Sequence, residues 1–242
     1  MGLSTLSINE RLICALDTAD ADQARAIIRE LEGVVSFFKI GITLHLASGL
    51  EIVKQLIDAD KRVFLDLKFY DIKETVEQAV REAARLGVTF VTVHGNRAII
   101  EGAVAGKAGS DLQVLVVTVL TSLDQSDLAE LGYPVPLEDL VLSRTRNGLD
   151  CGADGVIASA QEAAIIKGQT GGKLLVVSPG IRDADAPADD QKRTMPAEAA
   201  IAAGADFLVV GRPITQPRDG LTRREAALHI IESMEQGWAA RQ

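Results

Sequence analysis

The sequence predicts a (β/α)8 barrel, and three observations carry the prediction. Short apolar runs alternate with helical stretches along the whole chain. Eight strand–helix units of about 30 residues each account for the 242 residues, near the usual length of such a barrel. The apolar runs are continuous rather than alternating in polarity, as strands buried on both faces are. An open doubly wound sheet is the runner-up. It usually opens with a Gly-rich turn after the first strand, whereas this chain reads Ala15-Leu16-Asp17-Thr18-Ala19-Asp20, with no glycine. A single domain over 1–242 is expected.

Taken in order, the strands are expected at Leu12–Asp17, Phe37–Gly41, Val63–Lys68, Phe90–Gly95, Gln113–Leu120, Gly155–Ser159, Leu174–Gly180 and Phe207–Arg212. Each is rich in Val, Ile, Leu or Phe. The first helix is expected at Ala19–Leu31, with Asp17-Thr18 as its cap. Leu44–Ile57 and Ile72–Leu86 carry apolar residues at helical spacing. Ala98–Lys107, Leu137–Leu149, Ala160–Lys167, Pro196–Ala203 and Arg223–Trp238 complete the helices. Gly87 and Gly204 close helices just before a strand, the usual helix-stop signal. One segment breaks the rhythm. Arg182–Met195 reads RDADAPADDQKRTM, polar and Asp-rich, with neither strand nor helix signal. A loop this long is uncommon in a compact domain, and from the C-terminal rim of a barrel it is expected to serve as an active-site lid.

Composition excludes several classes. Hydrophobic residues make up 47% and charged ones 24%, so the chain can bury a full core. Net charge is −9, from 25 basic and 34 acidic residues, which argues against a nucleic-acid partner while leaving room for a local anion pocket. No apolar run approaches the roughly 18–20 residues that span a bilayer, so no membrane partner is expected. The start lacks the basic-then-apolar pattern of a signal peptide. Cys14 and Cys151 stand far apart, outside any CxxC pattern, which suits a reducing cytoplasm and no structural zinc.

The chemistry gathers at strand ends. In the third strand Phe64, Asp66 and Lys68 share one face while Leu65 and Leu67 share the other. The leucines suit the helix layer, so the charged pair points toward the barrel mouth, where active sites lie. A buried ion pair is the bland alternative, and such pairs are an unreliable source of stability. Lys39 ends the second strand between apolar neighbours, and Asp17 ends the first. Either alone reads equally well as a cap or rim charge. Together with Asp66, Lys68 and Asp71 they make an alternating cation–anion array. Gly211-Arg212 after the eighth strand offers close backbone approach and a forked guanidinium, suited to a phosphate monoester. Leu120-Thr121-Ser122 follows the fifth strand; its hydroxyls suit a heteroaromatic ring, although taken alone the pair reads better as a helix cap. Gly102–Lys107 is one residue short of a P-loop and reads as a helix end. His94 closes the fourth strand, but three scattered histidines make no metal cluster, and no metal site is expected.

Six segments carry a resemblance. Ala15-Leu16-Asp17, Phe38-Lys39-Ile40-Gly41, Phe64 to Ile72, Thr118 to Ser122, Val177 to Arg182 and Val210 to Ile214 resemble, in order and over essentially the whole chain, the orotidine 5′-phosphate decarboxylase family in its bacterial form. The Asp66-x-Lys68-x-x-Asp71 element is shared with related sugar-phosphate decarboxylases. Lys39, Thr121, Asp190-Gln191 and Gly211-Arg212 narrow the likeness to this family.

The resemblance implies decarboxylation of orotidine 5′-monophosphate to UMP, the last step of pyrimidine nucleotide synthesis, with no metal or organic cofactor. It implies that Lys68 protonates C6 and that Lys39, Asp66, Lys68 and Asp71 form a charged tetrad. Asp71 and Thr75 would reach into the partner's site of a homodimer, so that the active sites are shared. Asp17, Lys39, Asp71 and Thr75 would contact ribose, and Thr121 the base. Gln191, Gly211 and Arg212 would hold the phosphate, with Arg182 as a further contact. Two rivals remain at this level: a metal-assisted sugar-phosphate decarboxylase or aldolase of the same superfamily, and a non-catalytic nucleotide-binding barrel.

Overall fold

The period of two within each strand determines the layout of the molecule, a computed structural model that describes residues 6–182, 192–218 and 220–241, side chains 48 and 49 excepted. Strands β1 (Leu12–Leu16), β2 (Phe37–Gly41), β3 (Arg62–Phe69), β4 (Phe90–Val93), β5 (Gln113–Val117), β6 (Gly155–Ile157), β7 (Leu175–Ser178) and β8 (Phe207–Val210) pair in sequence order. All pairings are parallel, and β1 closes on β8. The expected barrel is therefore the observed one.

Alternate residues point inward and fill the barrel: Ile13 and Ala15, Phe37, Phe64, Phe90, Leu115 and Val117, Ile157, Val177, and Phe207 with Val209. The rings of Phe37, Phe90 and Phe207 meet at centroid distances of 5.0, 5.2 and 6.0 Å, an aromatic plug across the barrel. The other parity, such as Leu12, Cys14 and Leu16 or Val63 and Leu65, packs outward against the helices. Continuing the inward parity past the plug gives Asp17, Lys39, Asp66, Lys68, Thr92 and Gly211. The same alternation that builds the core thus delivers polar groups to the C-terminal mouth.

The helices are α1 (Ala21–Glu30), α2 (Ile42–Leu44), α3 (Leu50–Asp58), α4 (Lys73–Leu86), α5 (Arg97–Gly106), α6 (Gln125–Glu130), α7 (Leu137–Cys151), α8 (Ala163–Thr170), α9 (Ala197–Ala202), α10 (Arg212–Thr215) and α11 (Arg223–Arg241). Three departures from the sequence reading bear on the site. The cap of α1 is Asp20, whose carboxylate accepts from the backbone N–H of Asp22 and Gln23, rather than Asp17-Thr18. Asp17 is thereby left to the barrel mouth. The helix expected over Leu44–Ile57 is α2 and α3 joined by a wide π-type turn, His45–Gly49. Two short helices stand where the sequence reading has none. α6 is nucleated by a capping box between Asp124 and Asp127, and α10 starts directly after β8 with Pro213 in its first turn.

Gly102 and Gly106 lie inside α5, as the helix-end reading expects. A Cβ at either would stand 2.5 Å from the Lys73 carbonyl oxygen or 2.4 Å from that of Glu77, so these glycines let α4 and α5 touch backbone to backbone. At the opposite end of the barrel from the mouth, Asp154 and Asp206 repeat one device. Each follows a Gly-Ala pair, accepts from a strand N–H (Val114 at 2.7 Å, Val176 at 2.8 Å) and pairs with a lysine, Lys107 or Lys167. No helix among the described residues is long and apolar enough to cross a membrane.

Candidate active site

Strand β3 carries the centre of the site, and its backbone is irregular there. The ladder to β4 pairs Leu65 with Val91 and then Phe69 with Val93, so β3 spends two extra residues between those rungs. Lys68 adopts φ 49°, a left-handed conformation uncommon for a side chain of this size. Its backbone N–H donates to Thr92 Oγ1 at 2.9 Å instead of to a ladder carbonyl. Simple alternation correctly places Lys68 with Asp66; the bulge folds the lysine back onto its neighbour.

The result is a row of alternating charges. Lys39 Nζ lies 2.8 Å from Asp17 Oδ1 and 3.5 Å from Asp66 Oδ2. Lys68 Nζ donates to both oxygens of Asp66 at 2.9 Å. Thr92 Oγ1 donates to Asp66 Oδ1 at 2.8 Å. Gly41 makes room for this packing, since a Cβ there would sit 3.3 Å from both Asp17 Oδ1 and Lys39 Nζ. Asp66 and Lys39 are buried, and each has a partner of opposite charge within reach.

The pKa directions follow from that mutual support. Burial works to lower the Lys39 ammonium, but the charges of Asp66 and Asp17 outweigh it and hold it above its ordinary value. Burial likewise pushes Asp66 up, yet Lys39, Lys68 and the Thr92 hydroxyl hold it below the usual carboxylate range. Asp66 therefore stabilises the fold above its ordinary pKa of about 3.9, and that contribution disappears as pH falls through its lower folded value. The Lys39 contribution is complete below about 10.4 and disappears as pH rises through its higher folded value. Both groups are charged throughout the neutral range. His94, close by, is pushed down to about 4 by burial, with Arg144 and Lys68 adding to the shift, and is neutral in that range.

A cavity of about 420 Å³ opens above the charged row. Asp17, Lys39, Asp66, Lys68, Thr121, Arg182, Gly211 and Arg212, expected as site residues from sequence, line it together with apolar Phe64, Leu120, Ile157 and Val209. The lining thus combines charged and apolar side chains, which suits a ligand with a polar ring and an anionic tail. The cap reading for Thr121-Ser122 does not hold, because Asp124 caps α6; Thr121 is buried at the cavity wall. Asp71 and Thr75 are exposed and do not line the cavity of this chain. The Asp71 carboxylate accepts from the N–H of Ile72 at 2.7 Å. Gln191 and most of the expected lid at 182–195 lie outside the described residues. The two flanks of that segment meet, however: Ile181 bridges to Met195, and Arg182 N–H donates to the Met195 carbonyl at 3.1 Å.

Sequence reasoning misses Thr92. A signal is present, since Thr92 shares the inward parity of Phe90 in a strand otherwise made of Phe and Val. Thr215 and Gln216, which also line the cavity, are missed because the sequence reading has no helix at α10. Among the described residues, no group of three or more His, Cys, Asp or Glu side chains is placed to hold a metal ion.

Comparison with known proteins agrees with this geometry. Residues 10–227 match the family described as orotidine 5′-phosphate decarboxylase / HUMPS. The orotidine 5′-phosphate decarboxylase of Nitrobacter winogradskyi is 50% identical over 205 residues, covering 85% of each chain. That of Methylococcus capsulatus is 46% identical over 237 residues, covering 97% of this chain and 96% of the relative. The crystal structure of the Lactobacillus acidophilus orotidine 5′-phosphate decarboxylase superposes with a TM-score of 0.80 at 33% identity, over 93% of this chain and 99% of that one.

Proposed function

The chain belongs to the orotidine 5′-phosphate decarboxylase / HUMPS family, and from that premise we propose that it is a carboxy-lyase converting orotidine 5′-monophosphate to UMP and CO2, as one barrel domain over 1–242 acting in the cytoplasm. The observation that carries the reading is the Asp17–Lys39–Asp66–Lys68 row at the base of the cavity.

In the proposed chemistry the bond between C6 and the carboxylate breaks, CO2 leaves, and the electron pair stays on C6 in the ring plane, where it cannot delocalise into a carbonyl. A fixed ammonium at C6 stabilises that pair and then donates its proton to it. Lys68 suits this role, because Asp66 holds its Nζ at the cavity wall with bonds to both oxygens. The proton lost by Lys68 is restored from water after product formation. Lys39, paired with both Asp17 and Asp66, keeps the carboxylates ionised and is positioned with Asp17 for ribose hydroxyls. Thr121 faces the base, and Gly211, Arg212, Arg182 and Gln191 take the phosphate. Protein treated with EDTA is expected to form UMP from orotidine 5′-monophosphate at the untreated rate. Loss of turnover restored by Mg²⁺ would favour a metal-assisted sugar-phosphate enzyme instead, and tight UMP binding without turnover a nucleotide-binding barrel.

We further propose a homodimer with shared sites. Asp71 and Thr75 stand outside their own cavity, and the exposed apolar side chains Ile42, Leu46, Leu50, Tyr70 and Ile72 lie on the segments that leave adjacent strands β2 and β3. Apolar groups concentrated beside exposed polar ones suit burial against a second copy. The test is complementation. A dimer of one Lys68→Ala chain and one Asp71→Asn chain has one site with both lesions and one with neither. Random mixing makes about half the dimers mixed, so activity is expected to recover to about a quarter of wild type when the two mutants are refolded together. No recovery, with mixed dimers verified by mass, overturns the shared site.

A further inference from the structure

We infer that Arg193, which lies outside the cavity lining, is a positioning residue that sets the Thr121 wall of the site; the inference rests on reading the cavity as a pyrimidine nucleotide site. Four consecutive carbonyls lead from β5 to that wall, and all four are held by side chains or backbone from elsewhere. The Thr118 carbonyl accepts from the Arg144 guanidinium on α7. Arg193 Nη2 donates to the carbonyls of Val119 and Leu120, each at 3.0 Å. The Thr121 carbonyl accepts from the backbone N–H of Lys192 at 3.1 Å and of Arg193 at 3.2 Å. Lys192 adds ion pairs to Asp124 and Asp127, the capping residues of α6, at 2.8 and 2.7 Å.

Arg193 is itself fixed from behind. Its Nη1 pairs with Glu162, on the turn after β6, and both side chains are about 10% exposed. Burial pushes the Glu162 carboxyl up, with Arg193 pulling the other way. The Arg193 carbonyl accepts from Ser159 Oγ at 3.4 Å. One planar guanidinium therefore joins the ends of β5 and β6 to the chain at 192–195. This is a task for a fork of donors; an ammonium is a point charge and does not span a carboxylate and two carbonyls in one plane. Without the fork, the Val119 carbonyl loses its partner and the Leu120 carbonyl keeps only the Leu123 N–H at 2.9 Å, so the chain bearing Thr121 moves to recover the missing bonds.

A purely structural role and a positioning role separate in two variants. Arg193→Lys keeps the charge opposite Glu162. The double variant Arg193→Met/Glu162→Met replaces the buried ion pair with apolar side chains of similar volume, an exchange that is often neutral or stabilising. Both variants are expected to lose about 10²-fold in kcat/KM on orotidine 5′-monophosphate, the scale of a small misplacement of a substrate-contacting group. The double variant is expected to do so while melting at or above the wild-type temperature. Adding Thr121→Ala to either is expected to cost little more, since the wall is already displaced.

Calorimetric binding keeps this test independent of the reaction. UMP affinity is expected to fall about tenfold in both variants, and affinity for ribose 5-phosphate, which lacks the ring, to stay as in the wild type. Wild-type kcat/KM in the double variant, losses that multiply with Thr121→Ala, or equal weakening of both ligands would each overturn the role. A wild-type chain that binds UMP but forms none from the substrate would instead overturn the assigned reaction, leaving the binding comparison to decide the inference.

Discussion

Lys68→Ala is expected to lower turnover by about 10⁴-fold or more, because in the proposed chemistry one side chain supplies both the proton and the cation facing the developing carbanion. The fold is expected to survive. Asp66 retains Lys39 at 3.5 Å and the Thr92 hydroxyl at 2.8 Å, so the buried carboxylate keeps a counter-charge and a donor. UMP binding is expected to persist as well, since the proposed ribose and phosphate groups Asp17, Lys39, Gly211 and Arg212 come from β2 and from the residues that follow β1 and β8. The measurement is single-turnover CO2 release beside calorimetric titration with UMP. A variant that binds UMP and retains turnover within about tenfold of wild type would remove Lys68 from the chemistry. Lys68→Arg is a useful companion: it keeps a cation but not an ionisable proton in the working range, and is expected to be similarly inactive.

Arg212→Ala is expected to cost about 3 kcal/mol in kcat/KM for the nucleotide, roughly a hundredfold, and almost nothing for the nucleoside without phosphate. Arg212 begins α10 immediately beyond β8, beside Gly211, and both line the cavity. The phosphate is remote from the reacting carbon, so its binding energy can serve the rate only by holding the substrate and the surrounding chain in the reactive arrangement. The comparison of the two substrates isolates that contribution. Equal losses on nucleotide and nucleoside would show that Arg212 acts on something other than the phosphate.

Much of this arrangement is legible in the order of residues alone. Strand β2 coincides with its expected bounds, and β3 differs by one residue at each end. Asp17, Lys39, Asp66, Lys68, Thr121, Gly211 and Arg212 stand at strand ends in the sequence reading and meet in one cavity in the fold. What is not legible depends on competition between neighbours. The sequence reading gives the cap of α1 to Asp17-Thr18, and only the observed geometry, with Asp20 bonded to Asp22 and Gln23, shows that Asp17 is left for Lys39. Arg193 sits in a polar stretch that reads as loop, and nothing local marks it as buried against Glu162, 31 positions away.

By itself the sequence determined the barrel and the set of residues at its mouth, because a period of two along buried parallel strands puts Phe64, Asp66 and Lys68, or Phe37 and Lys39, on one inward face. The tertiary structure alone decided which charges touch. Closing β1 through β8 brings Asp17 to Lys39 and Thr92 to Asp66, and the bulge opposite β4 turns Lys68 onto Asp66 through a left-handed backbone. The first two are contacts between separate strands, and the third lies within β3 but depends on its irregular ladder to β4; strand register sets all three, and no local propensity encodes them.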